Sequence, residues 1–195
     1  MTEKQIERVK KKIEKFKKAL AADKKYWGGF HHDGQGIRYT LPGLYIQTED
    51  FKGGLRYLNW FNKTFPEDVG NALFLFEWAF ILFKNGKLDE ARRKVFSTFF
   101  SNIFVFDKFL ESEPSVLIDL KDSEWERETI QKYFHYSKHS EGFEEFAHWI
   151  QGVLNSKAFF EDSKEYLEIR KELESEPVGE KRTQLVKRLG KIQYG

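Results

Sequence analysis

Residues Leu73 to Leu110, LFLFEWAFILFKNGKLDEARRKVFSTFFSNIFVFDKFL, restrict this chain more than any other stretch. The first part, up to Lys84, is apolar on nearly every side, so a helix there must be covered on nearly every side. Asn85-Gly86 then breaks the pattern. The following residues are amphipathic and direct Leu88, Ala91, Val95 and Phe99 inward. Of the 20 phenylalanines, 12 fall between Phe61 and Phe109, which places the core there. Little Gly or Pro and few β-branched runs make the chain all-α in expectation. A length of 195 residues suits a single α-helical domain, 1–195, made of an amphipathic helix (2–22), a core (38–110) and C-terminal helices (123–192).

Composition narrows the function classes. There is no cysteine, which removes disulfides, thiolate metal sites and a thiol nucleophile and favours a reducing, cytoplasmic setting. No apolar run reaches the ~18 residues of a membrane span, and the charged start does not read as a signal peptide. Net charge is only +2 but unevenly spread. Residues 1–25 hold ten Lys or Arg against four acids.

Ile6, Val9, Ile13, Phe16 and Leu20 recur at spacings of three and four, an apolar stripe on helix 2–22. The stripe predicts docking on the chain's own core, with self-association, or contact of the lysines with nucleic acid or a membrane, as weaker uses. Residues 23–36, DKKYWGGFHHDGQG, contain four glycines and read as a loop, with Tyr26, Trp27 and Phe30 pinning it over the core. Thr40 before Leu41-Pro42 predicts a helix start, Asp50 caps the next helix and Asn71 the apolar one. Glu111–Lys121, with Pro114, reads as a linker. Ser123 and Glu126 have the spacing of a capping box. Helices then follow over 124–137 and 141–154, and two more between 157 and 192, split at Pro177-Val178-Gly179.

A shift of 37 residues superposes two central segments: Leu41 on Trp78, Tyr45 on Leu82, Phe51 on Leu88, Gly54 on Ala91 and Leu58 on Val95. Small residues at Gly54 and Ala91 would let paired helices approach closely. This resembles the tetratricopeptide repeat, whose pattern of about 34 residues runs Trp, Leu-Gly, Tyr, Ala, Phe, Pro. In the first copy Arg38 takes the Trp slot, Leu41 the Leu slot and Pro42 the Gly slot. Tyr45 matches the Tyr, Gly54 stands for the Ala, Leu58 for the Phe, and Pro66 matches the Pro. The second copy has Leu75, Trp78, Ala79, Leu82, Ala91 and Val95, with Ile103 in the Pro slot. The resemblance covers residues 38–104. It implies stacked antiparallel helical hairpins in a right-handed superhelix, with a groove lined by the first helix of each pair. Tyr39, Gln47, Phe76, Phe80 and Lys84 would line that groove and hold a peptide or partner helix.

Signals for chemistry are sparse. His31-His32-Asp33 offers imidazoles beside a carboxylate, the donors of a zinc or iron site, and makes a metal-dependent enzyme the alternative reading. His135 and His139, four apart, share one helical face if helix 124–137 extends that far. Glu77 is the acid inside the apolar helix and needs a cation, with Arg38 and Arg56 as candidates. No phosphate-cradling glycine loop or nucleophile elbow is present. The lysines of helix 2–22 are diluted by Glu3, Glu7 and Glu14 and have no interleaved aromatics, so nucleic acid is not the expected partner. The sequence therefore reads as a non-enzymatic adaptor for a protein or peptide, with no catalytic residue, cofactor or membrane partner assigned.

Overall fold

The computed structural model describes residues 1–113 and 120–194. Pro114, in the expected linker, lies outside the described residues. All regular structure among the described residues is helical, in ten α-helices. None of them is long and apolar enough to cross a membrane. The chain divides into two compact units, Met1–Ala91 and Arg92–Gly195.

In the first unit, α1 (Glu3–Tyr26) starts with a capping box, the Thr2 hydroxyl accepting from Gln5 N and Gln5 Oε1 accepting from Thr2 N. Its stripe faces α2, with Ile13 and Leu20 buried. The helix runs past the expected end at residue 22, because Lys24 and Lys25 are compatible with a last turn, where cations favour the helix dipole.

Helix α2 (Ile37–Gln47) begins before Thr40. Asp33 supplies the cap from upstream: Oδ1 accepts from Ile37 N at 2.9 Å and Oδ2 from Arg38 N at 2.9 Å. Pro42 therefore lies inside the helix, not in its first turn. A proline there has no N–H for the carbonyl four residues back. The Tyr57 hydroxyl of α3 donates to that carbonyl, Arg38 O, at 2.7 Å.

Asp50 caps α3 (Phe51–Thr64) and Asn71 caps α4 (Ala72–Lys84), as expected from sequence. Arg38, at the start of α2, reaches Asp68 just beyond the end of α3, so α2 and α3 run antiparallel. Helix α4 packs on both. A Cβ added at Gly54 would lie 2.9 Å from Ile81 Cδ1 and 3.3 Å from Tyr45 Cβ, so the small residue sets the spacing of these three helices. Asn85 closes α4, its amide donating to Ile81 O and to Phe51 O of α3.

The unit boundary falls in the first turn of α5 (Leu88–Ser101), so only the first expected hairpin lies whole within one unit. Leu88 is 44% exposed rather than inward. In the second unit, Asn102 interrupts the apolar run, and α6 (Val105–Leu110) restarts it. Helix α7 (Ser123–Tyr133) forms no capping box. Its Glu126 turns inward instead, to Arg170 of α9 at 2.8 Å. Helix α8 (Glu144–Leu154) leads to α9 (Lys157–Leu173) and α10 (Glu180–Tyr194), which pack together. Tyr166 of α9 anchors to α5, its hydroxyl donating to Phe100 O at 2.7 Å. Since α7 stops at Tyr133, His135 and His139 share no helix, and both are exposed.

Candidate binding groove

The residues assigned from sequence do not converge on one surface. Phe76 and Phe80 are 0% and 1% exposed. They are core, as a helix apolar on nearly every side requires, and offer no face to a ligand. Lys84 lies over the rings of Phe51 and Phe80. Gln47 is exposed at the end of α2, while Tyr39 is at its start. The Tyr39 hydroxyl donates to Asp68 at 2.6 Å and accepts from Arg38 Nη2 at 2.9 Å. Tyr39 thus belongs to a polar staple between the start of α2 and the loop after α3.

The loop residues have local roles. Asp33 uses both oxygens to cap α2, and Arg38 Nη1 adds a contact at 3.4 Å. His32 stacks on Trp27. Among the described residues no group of three or more His, Cys, Asp or Glu could hold a metal ion. Glu77 lies against Gly43, where a Cβ would meet its Oε1 at 2.6 Å. Of the two expected cations, Arg38 binds Asp33 and Asp68, and Arg56 is exposed on α3.

A different surface in the same unit has the form of a binding site. A groove of about 670 Å³ runs between α1 and α3. On α1, Lys10, Glu14, Lys17, Ala21 and Lys24 recur at spacings of four and three, one strip beside the buried stripe. Across from them, Asp50, Gly53, Arg56 and Trp60 form the α3 wall. Ile13, Leu20 and Tyr45 make an apolar floor, which α2 supports from below.

Aromatic rings line the groove towards the loop. Tyr45 and Tyr57 lie 6.1 Å apart, Tyr57 and Trp60 5.4 Å, and Trp60 and His31 5.7 Å. Burial pushes the Tyr45 and Tyr57 hydroxyls to higher pKa, so both stay protonated donors. Among the described residues Tyr45 Oη has no hydrogen-bond partner. His31 has only 6% of its side chain exposed, and its Nδ1 is buried without a hydrogen bond, 3.9 Å from Asp23 Oδ2. Burial, then the Lys24 charge, lower its pKa and keep the imidazole neutral near pH 7.

The rim is cationic. Lys17 is held by Glu14 at 3.0 Å, and Lys10 lies 3.6 Å from Glu7. Lys24 and Arg56 have no carboxylate partner among the described residues. An apolar aromatic floor between unpaired cations is suited to an amphipathic, acid-bearing segment. The strip on α1 was present in the sequence as a heptad of Lys10, Lys17 and Lys24. Its pairing with α3 was not, because no local pattern specifies which helices face each other. The chain matches no protein-family model, no curated protein and no solved structure significantly.

Proposed function

We propose that this chain is a non-enzymatic protein-binding module, an adaptor that holds an acidic, amphipathic segment of a partner in the α1–α3 groove. The observation that carries the reading is the groove itself: an apolar floor lined by aromatic rings, a buried imidazole nitrogen without a hydrogen bond, and Lys24 and Arg56 without carboxylate partners at the rim. Apolar rings supply contact area, and the rim charges select acidic partners and speed encounter. The tetratricopeptide reading is part of the proposal. The close approach of α2, α3 and α4 at Gly54 supports it for the first hairpin.

Panning a displayed random-peptide library against the whole chain tests this. Selected peptides should alternate Asp or Glu with apolar residues. Their affinity should fall tenfold or more with Trp60→Ala, about 1.4 kcal/mol or above. It should also fall with Lys24→Glu combined with Arg56→Glu. Peptides indifferent to both changes would place binding elsewhere.

A further inference from the structure

The loop after α1 is held by its later residues, His31 and Asp33, and not by the three rings expected to pin it over the core. Tyr26 is 81% exposed, Trp27 48% and Phe30 79%. Tyr26 meets Trp27 edge-on at 5.2 Å, and Trp27 stacks on His32. Gly28 and Gly29 turn between them at φ +64° and +105°, and an added Cβ would touch nothing at either. Three large rings within five residues therefore stand in solvent, a costly arrangement unless something else covers them.

A second feature of α1 leads to this tip. Lys4, Lys11, Lys18 and Lys25 recur every seventh residue, with Arg8 and Lys15 between them. At 100° per residue they lie opposite the buried stripe, and Tyr26 falls on the same line as Arg8. All six cations are exposed. None has a carboxylate partner among the described residues, since Glu7 and Glu14 are paired with Lys10 and Lys17. The strip is roughly 30 Å long at 1.5 Å per residue.

We propose that this outer strip and the Tyr26–Phe30 tip form a peripheral membrane-binding face. The six cations take anionic lipid headgroups, and the three rings enter the interface. Trp and Tyr suit the headgroup level, where one edge is apolar and the other wet, and Phe30 has no polar atom to satisfy. The apolar stripe of α1 faces α2, so the helix contributes charge and the tip contributes insertion. The arrangement favours lipid over a nucleic-acid strand. The rings are gathered beyond one end of the cation row, whereas strand binding interleaves stacking platforms with charge. The proposal is independent of the α1–α3 groove.

Flotation of the full chain with vesicles tests it. The chain should bind phosphatidylcholine vesicles containing phosphatidylserine, ignore pure phosphatidylcholine, and be released near ~1 M salt, where the screening length is about 3 Å. Lys11→Gln, Lys18→Gln and Lys25→Gln together should lower partitioning about 100-fold, roughly fivefold per lysine. Tyr26→Ser with Phe30→Ser should lower it about tenfold or more. All five side chains are exposed, so unchanged circular dichroism is expected. Quenching of tryptophan fluorescence by brominated lipid should occur in the parent chain and drop in Trp27→Phe, which keeps the ring. Failure to bind phosphatidylserine vesicles at low salt would overturn the proposal, as would binding indifferent to both sets of changes or quenching that persists in Trp27→Phe. Tighter, ring-dependent binding of a single-stranded oligonucleotide would assign the face to nucleic acid instead.

Discussion

Helices α1 and α4 divide the work of the first unit in opposite ways. Helix α4 is rich in aromatics, and Phe74 to Leu82 are all buried. Helix α1 buries only Ile13 and Leu20 outright, and offers two distinct solvent strips. One carries Lys10, Lys17 and Lys24 into the groove, and the other carries the six unpaired cations towards the exposed tip. The contrast is instructive because aromatic side chains look like binding residues in a sequence. In a helix with no polar face they have nowhere to go but the core. Surface that can meet a partner belongs to the helix that needs only one side for folding.

Substitutions can break this contrast, beginning where the effect is largest. Phe76→Ala or Phe80→Ala should destabilise the chain by about 3–5 kcal/mol, read from denaturant unfolding, because each removes a fully buried ring. A variant of either that stays as stable as the parent would show that α4 is not core.

The next largest effect concerns the proline in α2. Tyr57→Phe leaves Arg38 O without its donor and should cost about 1–3 kcal/mol. Pro42→Ala restores a backbone N–H beneath that carbonyl, so the double change should cost less than the sum of the singles in a mutant cycle. Strict additivity would separate Tyr57 from the proline.

A smaller effect should appear with pH. Above about pH 7.5 His31 is neutral in both folded and unfolded chains and adds no slope. Because burial and Lys24 depress its folded pKa, below that pH the unfolded chain takes up a proton that the folded chain resists. Stability from this site therefore falls as pH drops from about 6.5 through the folded value. His31→Phe, which keeps a ring against Trp60 and Phe65, should flatten that part of the thermal-midpoint profile between about pH 7.5 and 5.5. An unchanged slope would place the imidazole in solvent.

Local chemistry was readable from sequence, and partner choice between distant elements was not. Asp50, Asn71 and Asn85 act where their neighbours alone predict, since a cap or break needs only a few adjacent residues. Ser123 and Glu126 had the right spacing for a cap, but Arg170 far along the chain takes the carboxylate. Asp33 looked like a metal ligand and is a cap, because Gly36 lets the chain turn back and bring the α2 amides onto it. The groove needed two helices to be set face to face. The exposure of Tyr26, Trp27 and Phe30 depended on α1 continuing to Tyr26, which carries the rings away from the core.

Amide chemical-shift mapping with a panned acidic peptide separates the roles of the two helices, because it reads α1 and α4 in one experiment. Perturbations are expected along Lys10, Lys17, Lys24, Arg56 and Trp60, with Phe76 and Phe80 unmoved. Shifts centred on Tyr39, Gln47 and Lys84, with the α1 strip silent, would contradict that division of roles.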